Sequence, residues 1–201
     1  MKKLSSLRPN DLMEWEIFLL FIVFVVVVLE GSIKFGIGIL VPSIGLVRHD
    51  PFIIPNLIEA EDLSIVGRTG DFSHQIQVTS NWGAQFASRD SHVFFSGTKL
   101  GNCVEFFFPS QKEGDYQLFL YFSAAMDYGI FQIYVNGEKA KKTVDLYSET
   151  LRPLGSLPIG KFRLKSGQNR LKLEIVGHNP KSRVPYFQMG FDGIKLEPAY
   201  E

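Results

Sequence analysis

With 201 residues, the chain has room for one domain of about 150 residues beside an N-terminal segment. Its 21 basic residues balance its 21 acidic residues, so no net positive field would attract nucleic acid, and we expect no nucleic-acid partner. Cys103 is the only cysteine, which excludes an intrachain disulfide and a cysteine-based zinc site.

The N-terminal segment is dominated by an uninterrupted apolar run at residues 17–29. Extended by the apolar residues before it, this run predicts one membrane-spanning helix at 12–35, after a cytoplasmic tail at 1–11. Asp11 and Glu14 are spaced as a capping box, and Glu30 can pair with Lys34 at the far end of the helix. The basic residues of the tail favour a single-pass inner-membrane protein with a cytoplasmic N-terminus and a periplasmic β domain.

A secretory signal peptide is the alternative, because the first three residues resemble a basic n-region. The first alanine is Ala60, so an A-x-A cleavage site is missing and we favour an uncleaved anchor. Residues 36–56 are apolar but interrupted by Gly and Pro, which excludes a second spanning helix. We expect this linker to lie on the membrane surface or against another subunit, and packing on its own β domain is the alternative. The residues predicted to contact membrane or partner are Trp15, Phe18, Phe21, Phe24, Phe35, Ile37, Ile39 and Phe52.

Residues 57–201 are predicted to form an all-β domain, an antiparallel β-sandwich of the jelly-roll type. Short runs rich in β-branched and aromatic residues alternate with turn signals, and helical periodicity is scarce. Asn136-Gly137 is the strongest hairpin signal. We expect most of the 18 phenylalanines to fill the core. The predicted strands are 57–61, 74–79, 92–95, 103–108, 116–123, 130–135, 142–146, 160–164, 170–176 and 187–196.

Three segments carry a resemblance: IEAE at 58–61, the stretch at 114–137, and FDGIKL at 191–196. They are similar to galactose-binding-like jelly rolls, the carbohydrate-binding modules attached to bacterial glycoside hydrolases. The resemblance covers residues 57–198 and specifies the fold better than the ligand, because this fold hosts many functions. It implies that Glu59, Glu61 and Asp192 share a structural Ca²⁺, which takes carboxylate and carbonyl oxygens. Ordinary solvated carboxylates at a sheet edge are the alternative.

Sugar binding needs exposed aromatic rings beside hydrogen-bonding side chains. The candidate glycan platform is Trp82, Tyr128 and Tyr186, which lie in predicted loops, and a packing role is the alternative for each. The four histidines follow no metal-ligand spacing, and the sequence signatures of hydrolases, phosphate loops and dinucleotide sites are missing. We therefore expect no catalytic residue and no enzyme activity.

Two functions remain at this point. In the first, the protein is a non-catalytic accessory subunit that stabilises a membrane protein complex, such as a bacterial photosynthetic reaction-centre or antenna assembly. Its partners are then integral membrane subunits and lipid, and the absence of histidine from the predicted helix indicates a scaffold rather than a pigment carrier. In the second, it is a membrane-tethered carbohydrate-binding module that binds glycans. The uncleaved anchor favours the first function, whereas the domain resemblance favours the second.

Overall fold

The computed structural model describes the backbone of Phe21–Leu29 and Ser32–Leu40, and it describes residues 52–83, 85–182 and 186–199 in full. The chain divides into two compact units, Met1–His49 and Asp50–Glu201. The described secondary structure is β-strand, apart from short 3-10 turns at Ala60–Asp62, Thr79–Trp82 and Ser88–Asp90.

In the N-terminal unit, β1 (Phe21–Leu29) and β2 (Ser32–Leu40) pair in antiparallel fashion. These two strands lie where the sequence predicts the second half of a helix at 12–35 and the start of a linker at 36–56. The physical reason lies in composition, because β1 consists almost entirely of β-branched and aromatic residues, which are enriched in strands. Within the described part of the chain, no helix is long and apolar enough to span a bilayer. Trp15 and Phe18 lie outside the described residues.

The second unit is a sandwich of two antiparallel sheets, as the sequence predicts. Its strands are β3 (Ile58–Glu59), β4 (Ser64–Thr69), β5 (Ser73–Val78), β6 (Ser91–Gly97), β7 (Cys103–Ser110), β8 (Gly114–Ala124), β9 (Gly129–Val135), β10 (Glu138–Lys139), β11 (Val144–Asp145), β12 (Arg152–Leu164), β13 (Gly167–His178) and β14 (Phe187–Pro198). Sheet I has the order β12-β8-β14-β6-β5, and β3 also pairs with β14. Sheet II has the order β10-β9-β13-β7-β4, and β11 also pairs with β9.

The core between the sheets is built largely from aromatic side chains. The ring of Phe106, on sheet II, lies 5.6 Å from that of Phe95 and 5.4 Å from that of Phe191, both on sheet I. Phe122 packs against Phe191 at 5.2 Å. All four side chains are buried, so this part of the phenylalanine prediction is confirmed.

Every predicted strand corresponds to a strand of the sandwich, while β4 and β10 were not predicted. Asn136 and Gly137 form the turn between β9 and β10, with φ angles of 51° and 88°. Positive φ at both central residues is the requirement of a type I′ hairpin turn, which explains the strength of the Asn-Gly signal.

Candidate functional site

The most unusual polar chemistry of the domain lies where β3 pairs with β14, next to the loop at residues 79–90. Three hydrogen bonds attach the segment that leads into β3 to this loop, and the two shorter ones involve Ser88 and Arg89. The Ile54 N–H donates to Ser88 Oγ at 3.1 Å, and the Arg89 N–H donates to the Phe52 carbonyl at 2.8 Å. The loop and the start of the domain are thereby held together.

Ser88 joins two buried carboxylates from opposite ends of the domain. Its N–H donates to both carboxylate oxygens of Asp192, at 3.0 and 3.2 Å, and its hydroxyl donates to Glu59 Oε1 at 2.8 Å. Glu59 and Asp192 are only 3% and 4% exposed. Two of the three predicted calcium ligands, Glu59 and Asp192, are therefore hydrogen-bonded to the same residue, Ser88. The sequence did not point to this serine.

The third predicted ligand, Glu61, reaches the same region from a different element. The sequence places Glu59 and Glu61 on one strand, but β3 ends at Glu59 and Glu61 lies in the following 3-10 turn. The Ser91 hydroxyl donates to Glu61 Oε1 at 2.6 Å. The other oxygen of each glutamate, Oε2, is buried without a hydrogen-bond partner, and a buried acceptor without a partner destabilises the fold.

Burial and neighbouring negative charges raise the affinity of all three carboxylates for protons. Burial, together with the charges of Glu59 and Glu61, raises the pKa of Asp192 to about 8. Burial also raises the pKa of Glu59 and of Glu61. Arg89 opposes this effect at Glu59, because its Nε lies 3.3 Å from Glu59 Oε1. Its Nη1 lies 2.9 Å from Asp62 Oδ2.

The chemistry of this cluster fits a hard cation such as Ca²⁺. The side-chain atoms that could coordinate an ion are all oxygens, and two of them have no hydrogen-bond partner. A bound cation would hold Asp192 ionised at neutral pH. In the described part of the chain, however, no group of three or more His, Cys, Asp or Glu side chains is arranged closely enough to hold a metal ion. A shared ion at Glu59, Glu61 and Asp192 therefore stays a prediction, and Arg89 is the cation that contacts Glu59.

Asp192 is one of the residues that line an open groove of about 500 Å³. Phe86 and Tyr121 line it, together with Gln85, and Phe52 lies at its rim with 56% of its surface exposed. The Phe52 N–H donates to Gln85 Oε1 at 3.4 Å. The groove thus combines apolar rings with a few polar groups, which is the usual composition of a small-ligand site.

His92 packs against Phe86, one of the residues that line the groove, and was not singled out by the sequence. Its ring lies 5.6 Å from that of Phe86, and its two nitrogens lie 3.2 Å from Gln77 Oε1 and from Ser123 Oγ. Burial lowers the pKa of His92 to about 4, so the ring is neutral at physiological pH. Gly190 leaves the space that this ring and the Ser123 hydroxyl occupy.

The three predicted platform residues, all within the described part of the chain, make no ring contact with one another. Trp82, at the end of a 3-10 turn, and Tyr186, just before β14, are 63% and 53% exposed. No ring contact within the described residues joins these two side chains. The prediction that Tyr128 belongs to an exposed platform is wrong, because this side chain is buried with its ring 6.2 Å from that of Phe94. Burial raises the pKa of Tyr128 to about 12, and this side chain belongs to the core.

The predicted interface residues fall into three groups. Phe21, Phe24, Phe35, Ile37 and Ile39 lie in the N-terminal hairpin, whose backbone alone is described. Trp15 and Phe18 precede that hairpin. Phe52 is the member that the structure describes in full, and it lies at the rim of the groove.

Comparison with solved structures supports the sandwich fold. The chain is similar to a xanthan lyase from Paenibacillus, at 24% identity and a TM-score of 0.60 over 74% of this chain and 14% of the lyase. It is also similar to a family 35 carbohydrate-binding module from Clostridium thermocellum, at 20% identity and a TM-score of 0.43, covering 73% of this chain and 100% of the module. A β-1,4-mannanase from Podospora anserina with a family 35 module shows 20% identity and a TM-score of 0.44 over 72% of this chain and 28% of the enzyme.

The likeness to the lyase bears on the fold and not on the ligand. The chain spans about one seventh of the lyase, so its likeness covers one region of a much larger protein. No protein-family model matches the chain, and no curated protein matches it.

Proposed function

We propose that the sandwich is a non-catalytic carbohydrate-binding module and that it binds glycans in the groove beside Asp192. The observation that carries this proposal is the open groove of about 500 Å³, whose lining combines aromatic rings with a few polar groups. The resemblance of the sequence to carbohydrate-binding modules supports the same function.

The groove matches the two kinds of surface that a sugar ring presents. The C–H faces of a pyranose pack on aromatic rings such as Phe52 and Phe86, whereas its hydroxyls need hydrogen-bond partners. Gln85, Tyr121 and Asp192 are the lining residues whose polar groups can supply such partners. Ligand sites in proteins have volumes of about 300 to 1,000 Å³, so the groove is large enough for a short stretch of a glycan chain.

Ca²⁺ is part of this proposal as a structural ion. To hold the ion, Glu59, Glu61 and Asp192 would have to move closer together than they lie in this structure, and the ion would then satisfy the two glutamate oxygens that have no partner. The ion would fix β3 against β14 and so set the position of Phe52, which is attached to the same loop as Ser88. Its role is to hold the groove in shape rather than to activate a substrate.

Removal of the Phe52 ring is expected to weaken glycan binding. Loss of one apolar ring contact costs about 1.5 to 3 kcal/mol, which corresponds to a roughly tenfold to hundredfold rise in Kd. The full-length protein in mild detergent is screened on an array of plant and microbial polysaccharides, and Kd is then measured for Phe52→Ala with the best ligand. Trp82→Ala is the matched control, because Trp82 is an exposed aromatic residue outside the groove.

The pattern of losses distinguishes the possible sites. Weaker binding by Phe52→Ala with unchanged binding by Trp82→Ala supports the groove. The reverse pattern places the ligand on the loop that carries Trp82 and overturns the groove. Absence of binding to every glycan overturns the function itself.

We further propose that the apolar residues at 17–29 attach this module to a membrane. The full-length protein is then expected in the membrane pellet after carbonate extraction of cells, and the double variant Val26→Asp/Val27→Asp in the supernatant, because charged side chains are costly in hydrocarbon. Leu100→Asp, an exposed change between β6 and β7 of the sandwich, serves as control and should stay in the pellet. Recovery of the unmodified protein in the supernatant contradicts this attachment.

Neither the fold nor the comparisons support the subunit role in a photosynthetic complex.

A further inference from the structure

The outer edge of β5 differs from the other ends of the two sheets. β5 is the last strand of sheet I, and no strand of the described residues pairs with its outer side. An edge strand presents free N–H and C=O groups that can pair with another chain, and proteins normally protect such edges. The question is whether β5 is protected.

The other three edges carry recognisable protection. β12 contains Pro153 and Pro158, each beside an irregularity in its pairing with β8. β4 contains a bulge between Ile65 and Gly67. β10 has only two residues, and both are charged and exposed. Prolines, bulges, charges and shortness all discourage the addition of a further strand.

β5 has none of these features along its described length. It pairs with β6 in an unbroken register from Ser73 to Val78. From Phe72 to Trp82 the chain contains no Pro, Asp, Glu, Lys or Arg. β5 therefore presents a regular and uncharged edge.

This edge also exposes apolar side chains. Ile76 is 62% exposed and Val78 is 45% exposed, and with His74 they lie on one face of β5 because side chains alternate along a strand. The same face borders a groove of about 360 Å³ that reaches Ile65 on β4 and the buried ring of Phe106. The two sheets are thus open to solvent along this side of the sandwich.

We propose that β5 is a dimerisation surface and that its partner is β5 of a second copy of this chain, paired in antiparallel fashion about a two-fold axis. Charge supports an identical partner, because an uncharged strand pairs with itself without bringing like charges together. The register that places Ile76 opposite itself brings His74 opposite Val78 of the second copy. Sheet I would then continue from one copy into the other, and the exposed apolar side chains of β5 would lie beside those of the second copy.

A charge at the centre of this strand should abolish the dimer. The mass of the full-length protein is measured in mild detergent by sedimentation velocity, for the unmodified chain, for Ile76→Lys and for Val66→Lys. Ile76→Lys places two lysines opposite each other at the two-fold axis, so we expect a monomer, whereas the unmodified chain is a dimer. Val66 is the matched control, an exposed apolar residue on the protected strand β4, and Val66→Lys should remain a dimer.

A cross-linking experiment tests the register independently. Ile76→Cys is expected to form a disulfide-linked dimer under mild oxidation, since residue 76 faces its own copy, while Val66→Cys should not. Cys103 is buried and does not compete. Equal masses for the unmodified chain and Ile76→Lys, whether monomeric or associated through other residues, overturn the proposal, as does failure of Ile76→Cys to cross-link. The circular dichroism spectrum of each variant shows that the sandwich is retained.

Discussion

Replacement of Phe191 by alanine is expected to lower the free energy of unfolding of the sandwich by about 3 to 5 kcal/mol. The Phe191 side chain is fully buried, and its ring contacts Phe106 of the opposite sheet and Phe122 of its own sheet, with centroids 5.4 and 5.2 Å away. Truncation removes buried apolar surface and leaves a cavity that the two sheets cannot close. Domains have free energies of unfolding of only about 5 to 15 kcal/mol. This single change therefore removes a large part of the stability of the sandwich.

The measurement is urea unfolding of the full-length protein followed by circular dichroism. Phe107→Ala is the matched control: Phe107 lies next to Phe106 on β7 but is only partly buried, with the Arg170 guanidinium 5.4 Å from its ring. Its truncation should cost about 1 kcal/mol, mostly the cation–π contact. A loss below 1 kcal/mol for Phe191→Ala would mean that the ring is not enclosed by the two sheets.

Much of the sandwich could be predicted because its strands follow the simple alternation of a half-buried sheet. The exceptions have a physical cause. β12 begins at Arg152, well before the predicted strand at 160–164, since Pro153 and Pro158 interrupt the sequence pattern. An edge strand tolerates both prolines because its outer N–H groups have no partner. β4 escaped prediction for a related reason, as its bulge at Gly67 breaks the alternation.

The candidate site was less predictable, because its contacts join residues that are far apart in sequence. Ser88 and Asp192 are 104 residues apart, and nothing near Ser88 in the sequence indicates a carboxylate partner. Arg89 adopts a left-handed conformation with φ of 51°, which is unusual for a residue with a side chain. Tyr128 resembled an exposed turn residue because it lies between Asp127 and Gly129, but its ring packs against Phe94.

The proposed ion site and the proposed groove depend on each other through Asp192. Its carboxylate accepts the Ser88 N–H at both oxygens, and Asp192 is also one of the residues that line the groove. A protonated Asp192 and an ion-bound Asp192 would therefore present different groups to a ligand. The protonation of this one side chain offers a direct test of the cluster.

In the presence of a chelator, the sandwich is expected to lose stability as the pH rises from about 4 to about 8. The pKa of Asp192 is about 8 in the folded protein against an ordinary value of 3.8. The folded state therefore holds this proton where the unfolded chain has released it, and unfolding becomes easier as the pH increases. The difference corresponds to at most about 6 kcal/mol, and the raised pKa values of Glu59 and Glu61 act in the same direction.

Asp192→Asn separates this titration from the rest of the fold, because the amide oxygen can still accept the Ser88 N–H but carries no charge. In chelator at pH 8, we expect this variant to be more stable than the unmodified chain, whereas Asp71→Asn, at an exposed carboxylate, should change nothing. Ca²⁺ at millimolar concentration should reverse the order, since it stabilises only a chain that offers an ionised Asp192. Identical pH profiles for the two chains in chelator would refute the buried titration. A weaker dependence of stability on pH in Asp192→Asn, without any effect of Ca²⁺, would instead mean that Arg89 and not an ion is the counter-charge of the cluster. The ion would then be removed from the proposed function, while the groove would remain.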